Sequence, residues 1–152
     1  KSVLGIDVSQ HAVDCAIRNS ELNDLQDIVK FECHNAFNVL GEWSRDGREF
    51  DVVILDPPAF TKSKNTINQA IRGYKEINLR GIKMVKKGGY FATCSCSHYM
   101  SEEQLKKTVC EAAHDARRTL RQIEVRTQSC DHPILWNSDE SYYLKFFIFQ
   151  VV

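Results

Sequence analysis

The sequence lacks several features that would each place it in a large class of proteins. No apolar run approaches the roughly 20 residues that a membrane-spanning helix needs. The first residues do not show the basic, apolar and small-residue succession of a secretory signal. Because nothing here indicates export, we expect a cytoplasmic protein whose six cysteines are reduced thiols rather than a disulfide framework.

A glycine-rich phosphate loop is also missing. No Gly-x-Gly segment of the kind that cradles a nucleotide cofactor precedes the first predicted strand. The chain opens with a buried strand that ends in Asp7, as the second βα unit of a nucleotide-binding fold does. We therefore predict that residues 1–152 are the carboxyl-terminal portion of one domain in a longer protein.

What is present fits a globular α/β fold. The chain has 152 residues, of which 43% are hydrophobic and 26% charged, enough for one domain with a real core. Predicted strands and helices alternate along most of it, which indicates a largely parallel sheet with helices on both faces. The last two strands lack a helix between them and are predicted to pair antiparallel at or near one edge.

Hydrophobic periodicity and capping residues set the predicted segments. Strands are expected at 3–7, 28–33, 51–55, 90–94, 120–126 and 142–152. Helices are expected at 9–19, from 36 to a turn at 46–47, at 66–86, and from a capping box at 101–104 to 117. Gly88 and Gly89 are predicted to end the third helix. The run at 51–55 is typical of a strand that is buried on both faces.

Positive charge is concentrated in one stretch of a chain that is neutral overall. Between Thr61 and Lys87 there are eight basic residues and one acid, Glu76, so that this stretch carries a net charge of +7. A local positive field suits an anionic substrate such as nucleic acid. A solvated cationic helix face is the alternative interpretation.

An aspartate closes the third predicted strand and is followed by two prolines. Ligands of open α/β sheets bind beyond the carboxyl ends of the strands, where Asp56 is expected. A buried carboxylate there is costly unless it is paired or used. Pro57 and Pro58 stiffen the loop, and Phe60 with this loop could hold a flat base against Asp56.

The next strand ends in a pair of cysteines. Cys94 and Cys96 are two residues apart and face the same side of an extended strand. A thiolate is a strong nucleophile when its surroundings lower its pKa. With His98 the two thiols would make three metal ligands, but the paired spacing of zinc sites is missing, so no metal is predicted.

Three other polar residues have both a functional and a structural interpretation. Asp7 at a strand end could accept hydrogen bonds from ribose hydroxyls, and the amide of Asn35 after the next strand suits the edge of an adenine. Both are also ordinary helix-capping residues. His132, in a polar loop, could be a general base or a structural histidine.

Taken together, these motifs resemble one known family. The motifs are Asp56-Pro57-Pro58-Ala59-Phe60, Gly73-Tyr74-Lys75-Glu76-Ile77-Asn78, Thr93-Cys94-Ser95-Cys96-Ser97, Asp131-His132-Pro133 and Tyr143-Leu144-Lys145. Over nearly its whole length the chain resembles the catalytic domain of class I S-adenosylmethionine-dependent methyltransferases that modify C5 of cytosine in large-subunit ribosomal RNA. The resemblance implies a Rossmann-like sheet, S-adenosylmethionine as cofactor and ribosomal RNA as partner, and it leaves a homodimer open.

The resemblance also implies residue roles. Asp7 would bind the ribose hydroxyls of the cofactor, and Asn35 would lie near its adenine. Asp56 would face both the methionine end of the cofactor and the target cytosine. Cys96, or failing that Cys94, would be the nucleophile that attacks the ring. The residues expected to contact the RNA are Pro57, Pro58, Phe60, Lys62 and Lys64.

The chain departs from the family at its start. Full-length relatives carry an RNA-binding domain and then the first strand and glycine-rich loop of the catalytic fold. That first strand is central, between the strands of Asp7 and Asp56, so we predict a gap in the sheet. We also expect this chain alone to bind S-adenosylmethionine weakly or not at all.

Two other functions are also compatible with the sequence. An amino-group methyltransferase acting on nucleic acid would use an Asp-Pro-Pro-aromatic motif, but here Ala59 separates Pro58 from Phe60 and the cysteine pair would have no role. A non-catalytic RNA-binding fragment is the second alternative, and the absent cofactor loop favours it.

Overall fold

A computed structural model describes residues 1–61 and 63–152, with Lys64 represented by its backbone alone. The chain divides into two compact units, Lys1–Arg45 and Asp46–Val152. No helix in the described ranges has the length and apolar character that crossing a membrane requires. None of the six cysteines is in a disulfide bond in this structure.

The first unit is two successive strand–helix pairs. Its elements are β1 (Val3–Asp7), α1 (Gln10–Leu22), β2 (Val29–Cys33) and α2 (Ala36–Arg45). The two strands are parallel, with Asp7 opposite Cys33 at their carboxyl ends. Ser9 caps α1 as predicted, since its side-chain oxygen accepts a hydrogen bond from the backbone N–H of Ala12.

The second unit is a four-stranded mixed sheet with two helices. Its elements are β3 (Phe50–Leu55), α3 (Ile67–Lys83), β4 (Val85–Ser95), α4 (Glu102–Asp115), β5 (Leu120–Arg126) and β6 (Lys145–Val151), with short 3-10 turns at Lys64–Thr66 and Asp139–Ser141. The strand order is β3-β4-β6-β5. Because β6 runs antiparallel to both β4 and β5, the predicted antiparallel pair at one edge is confirmed.

The core of the second unit lies where α3 and α4 pack on the sheet. Tyr74 from α3, Leu105 and Val109 from α4 and Phe147 from β6 are buried in one cluster with Met100. The helix α4 begins at the predicted capping box, in which Ser101 and Gln104 bond reciprocally through side chain and backbone. The candidate site residues of this unit lie at the ends of β3 and β4.

The third strand is not buried on both faces, so that prediction is wrong. Val53 and Leu55 are buried, whereas Val52 and Ile54 are 52% and 66% exposed. Successive side chains of a strand point to opposite faces, and in the described residues only one face of β3 is covered. Moreover, β3 and β1 lie in different sheets and each has one strand neighbour in the described ranges.

Gly88 and Gly89 do not end a helix. The third helix ends at Lys83, and both glycines lie inside β4. Gly88 has a φ of +85°, and a Cβ on Gly89 would lie 2.6 Å from the backbone oxygen of Asp51. The pair therefore allows a close approach to β3, where the strand register shifts.

Candidate functional site

The structure joins the ends of β3 and β4 through side chains. The strands are parallel neighbours with Leu55 opposite Thr93, which places Asp56 beside Cys94. The Cys94 thiol donates a hydrogen bond to Asp56 Oδ1 at 3.0 Å and lies 3.7 Å from the carbonyl oxygen of Leu55. A carboxylate and a thiol therefore meet at this edge of the sheet.

Asp56 is exposed, whereas the sequence predicted a buried carboxylate. The strand ends at Leu55, so the Asp56 side chain lies beyond the part of the sheet that the helices cover. Water can solvate its second oxygen, which accepts no hydrogen bond from the described residues, and the desolvation cost expected of a buried carboxylate does not arise. One carboxylate oxygen is held by Cys94, and the group remains accessible to a ligand.

Cys94 has the properties of a hydrogen-bond donor. Burial raises the pKa of the Cys94 thiol well above its ordinary value, and the hydrogen bond to Asp56 and the negative charge of that carboxylate raise it further. At neutral pH the thiol is therefore protonated. A protonated thiol is a weak nucleophile, so Cys94 is suited to orienting Asp56.

Cys96 lies one residue beyond β4 and is only partly buried. Its neighbours in sequence are fixed by hydrogen bonds. Ser95 Oγ donates to the Tyr74 hydroxyl at 2.8 Å, and Ser97 Oγ donates to the backbone oxygen of Thr61 at 3.1 Å. The turn that carries Cys96 is thus fastened to α3 and to the loop after β3, while its thiol remains partly accessible.

The loop after β3 presents only part of its surface. Pro57 is buried, whereas Pro58 is exposed. The Phe60 ring lies 4.6 Å from the Tyr74 ring, centre to centre, and its Cδ2 would contact a Cβ placed on Gly73 at 3.3 Å. One side of Phe60 therefore packs on the core, and Pro58 is the more open apolar surface.

Lys145 is a buried residue to which sequence reasoning assigned no role. It begins β6 opposite Ser95, and its ammonium group donates to the backbone oxygen of Ser97 at 2.9 Å. The available signal was the place of Lys145 in the Tyr143-Leu144-Lys145 motif, at the start of a largely apolar strand. The structure places this charge beside the turn of Cys96.

Asp7 and Asn35 both lie at the carboxyl edge of the sheet in the first unit, and both cap local structure. Asp7 Oδ1 accepts from the Ser9 backbone N–H at 2.7 Å, and Asn35 Oδ1 accepts from that of Phe37 at 2.9 Å. Both residues are exposed. Within the described ranges, the second carboxylate oxygen of Asp7 and the amide nitrogen of Asn35 make no hydrogen bond.

Ion pairs compensate part of the positive stretch. Lys75 lies 2.9 Å from Asp115, and the side chains of Arg80 and Lys86 lie within 3.0 Å of acidic groups. Exposed basic residues without an acidic partner in the described part of the chain include Arg72, Lys83 and Lys87. Lys62 lies outside the described residues, and so does the side chain of Lys64.

The loop before β6 forms a separate open cavity of about 620 Å³. Its lining includes Arg126, Gln128 and His132. The His132 ring stands edge-on to Tyr143, with 6.2 Å between ring centres. His132 and His98 are both exposed, and residues 1–61 and 63–152 contain no cluster of three potential metal ligands.

Comparison with known proteins gives one family match and several relatives. The family model described as a methyltransferase domain matches residues 1–147. The chain is 42% identical to ribosomal RNA large subunit methyltransferase I of Alteromonas mediterranea over 152 residues, 99% of this chain and 38% of that protein. It is 44% identical to the protein of that name from Aliivibrio fischeri over 154 residues, 100% of this chain and 39% of the other. The chain thus spans about two-fifths of the length of these relatives.

Solved structures share the fold at low sequence identity. A Streptococcus mutans protein proposed to be a SAM-dependent methyltransferase superposes with a TM-score of 0.83 at 18% identity, covering 99% of this chain and 38% of that one. The N-methyltransferase NodS of Bradyrhizobium japonicum, in complex with S-adenosyl-L-homocysteine, gives a TM-score of 0.64 at 12% identity, covering 99% and 66%. These likenesses concern the arrangement of helices and strands.

Proposed function

Because this chain belongs to the methyltransferase-domain family and has its Rossmann-like α/β fold, we propose that it is part of an RNA methyltransferase that modifies C5 of cytosine in large-subunit ribosomal RNA. The names of the relatives support the RNA substrate. The observation that carries the cytosine assignment is the contact of Asp56 with Cys94 beside the more accessible Cys96. Residues 1–152 would be the carboxyl-terminal portion of the catalytic domain.

The first unit fits one half of S-adenosylmethionine. Asp7 ends β1 with one carboxylate oxygen that accepts no hydrogen bond in the described residues, and vicinal ribose hydroxyls would suit that oxygen. Asn35 keeps its amide donor, which would suit a ring nitrogen of adenine. When bound, S-adenosylmethionine supplies a methyl group made electrophilic by a positively charged sulfur.

Cys96 would activate the cytosine, whose C5 is a poor nucleophile. Its thiolate would form a bond to C6, and the electron pair of the C5–C6 double bond would then become available at C5 to bond the methyl group. Loss of the C5 proton to a base would restore the double bond as the C6–sulfur bond breaks. Cys96 is favoured over Cys94 because Cys94 is buried and its thiol proton is engaged by Asp56.

Asp56 would hold and polarise the base. Its exposed carboxylate can accept a hydrogen bond from the 4-amino group or from a protonated N3 of cytosine, which stabilises charge developing on the ring. Asp56 is followed by Pro57, which is buried, and by Pro58, which is exposed. Because proline fixes φ, this carboxylate stands next to a stiff backbone segment. The target base must leave its stack, at a cost of a few kcal/mol that contacts with flanking RNA have to offset.

The test is the identity and mechanism of the methylated product. Large-subunit RNA is incubated with S-adenosylmethionine and the longer protein that this proposal implies, because the 152 residues alone are expected to bind the cofactor weakly. Nucleosides are then identified by mass spectrometry. The expected product is 5-methylcytidine; N4-methylcytidine would support the amino-group alternative, and no product would support a non-catalytic RNA-binding role. RNA containing 5-fluorocytosine should trap a covalent adduct, because fluorine at C5 cannot leave as a proton does. The adduct should be lost in Cys96→Ala and kept in the matched control Cys110→Ala, an exposed cysteine on α4.

A further inference from the structure

Lys145 is buried at the corner of the sheet that carries Cys96. The residue is 2% exposed. The ammonium nitrogen donates to the backbone oxygen of Ser97 at 2.9 Å and to that of Tyr143 at 3.1 Å. Since Ser97 directly follows Cys96, the ammonium is anchored to the turn that holds this thiol.

The surroundings of this ammonium group lack a direct counter-charge. In the described part of the chain its hydrogen bonds go to two neutral carbonyl oxygens, and no carboxylate lies within ion-pair distance. The Tyr142 ring, 5.5 Å away, offers a weak cation–π contact. Burial of a charged group in this way is costly, which points to a use for the charge.

Several titratable groups meet at this corner. The Tyr74 hydroxyl from α3 bonds Ser95 and the Lys145 ammonium from β6 bonds Ser97, which are the two neighbours of Cys96 in sequence. The Cys94 thiol lies two residues before Cys96 at the end of β4. Asp56 reaches the same corner through its bond to Cys94. Glu102 of α4 is bonded to Tyr142 and acts on Lys145 by its charge. Lys145 is the cation of this set.

We propose that Lys145 is a positioning residue for Cys96, which fixes the Cys96–Ser97 turn and supplies the positive charge that favours the thiolate of Cys96. This inference rests on the proposed function, in which Cys96 is the nucleophile. The charge of Lys145 would offset that of Asp56, which favours the protonated thiol of the adjacent Cys94. Consistent with this pairing, burial lowers the pKa of Lys145, while a negative charge on Cys96 and then that on Glu102 raise it.

The experiment measures alkylation of Cys96 by iodoacetamide as a function of pH. Fragment-ion mass spectrometry locates the label on Cys96 rather than Cys94. In Lys145→Gln and Lys145→Met, the pH of half-maximal rate should rise by about one unit, because a nearby unit charge shifts a titration by that order. At a fixed pH below the midpoint, alkylation should be about tenfold slower than in the unchanged protein.

Two features of the pH–rate profile distinguish an effect of the Lys145 charge from a purely structural effect. The maximal rate at high pH reports access to the thiol, whereas the midpoint reports the stability of the thiolate. A purely structural role for Lys145 would change the maximal rate or the unfolding transition and leave the midpoint in place, and that result would overturn the proposal. Lys87→Gln is the matched control, because Lys87 is exposed at the other end of β4 without an acidic partner in the described residues, and its loss should leave both the midpoint and the maximal rate unchanged.

A second measurement needs no variant and covers the case in which Lys145 variants do not fold. Anionic iodoacetate and neutral iodoacetamide are compared at Cys96 in the folded protein and in the same peptide of the urea-unfolded protein. A nearby cation should raise the preference for iodoacetate on folding, and an equal or lower preference would refute the proposal. Neither alkylation measurement involves RNA. Absence of 5-methylcytidine would overturn the proposed function, whereas the alkylation of Cys96 would still show whether Lys145 acts on this thiol.

Discussion

The Cys94 thiol donates its hydrogen to the Asp56 carboxylate across 3.0 Å, and this bond joins the ends of two parallel strands. A cysteine in the predicted catalytic motif is thereby engaged in orienting the residue that would hold the base. The two cysteines of the motif thus have separate roles in the proposed mechanism, with Cys94 as donor and Cys96 as nucleophile.

Replacing Cys94 should slow methyl transfer without preventing the covalent adduct. In Cys94→Ala the Asp56 carboxylate loses a fixed donor, and we expect about a tenfold lower kcat, since a hydrogen bond to a charged group contributes about 1.5 kcal/mol. Cys94→Ser keeps a donor and should recover most of the rate. Steady-state methylation and 5-fluorocytosine trapping measure these effects. An adduct that vanishes in Cys94→Ser and persists in Cys96→Ser would reverse the two assignments.

Removing the Tyr74 hydroxyl should destabilise the fold. Tyr74 is fully buried, its hydroxyl accepts a hydrogen bond from Ser95, and burial raises its pKa, so it is neutral at pH 7. Tyr74→Phe leaves the Ser95 hydroxyl without this acceptor and should lower the free energy of unfolding by about 1–3 kcal/mol. Urea unfolding checks this value. Tyr99→Phe is the control, because Tyr99 is exposed and should tolerate the loss; equal effects of the two changes would contradict the buried bond.

Glu102 should stabilise the protein in a pH-dependent way. Its pKa is lowered by hydrogen bonds from Lys106 first and Tyr142 second, and the folded-state pKa therefore lies below the unfolded one. The stabilisation is fully present above the unfolded pKa and is lost as pH falls through the folded pKa. Glu102→Gln should therefore be less stable than the unchanged protein at pH 7, with the difference shrinking towards pH 3.

Unfolding by urea at several pH values measures this difference. Glu103→Gln is the matched control. Glu103 is the other acid in the first turn of α4 and interacts with the same helix dipole, but it lacks the bonds that Glu102 makes to Lys106 and Tyr142. A pH-independent difference for Glu102→Gln, or an identical profile for the control, would show that these bonds do not carry the effect.

Local sequence signals predicted the helices and strands well, but they predicted strand contacts and burial less well. The bounds of β5 and the capping box of Ser101 and Gln104 depend on neighbouring residues, and both predictions hold. The pair Gly88 and Gly89 is equally typical of a helix end and of a close strand contact, and only the position of Asp51 distinguishes the two. Exposure of Asp56 also depends on what covers the strand end, which sequence periodicity does not report.

The same is true of the site: the sequence identified candidate residues, whereas their contacts depend on the tertiary structure. Motif order identified Cys94, Cys96 and Asp56 as candidates, but the bond between Cys94 and Asp56 requires the register of β3 against β4. A buried lysine without a carboxylate partner cannot be recognised from a sequence in which lysine is usually a surface residue. Lys145 therefore became a candidate only when its contact with Ser97 was known.

The 152-residue chain should bind S-adenosylmethionine weakly or not at all. In the proposed function Asp7 and Asn35 would supply partners for the ribose and adenine only, and no Gly-x-Gly loop accompanies them in this sequence. Calorimetric titration of the chain should show a Kd well above the micromolar range. A longer protein that adds the upstream first strand and its loop should bind S-adenosylmethionine tightly. In that protein Asp7→Ala should weaken cofactor binding, and Asp14→Ala on α1 is the control. Micromolar binding by the 152 residues alone would show that the cofactor site is complete within them.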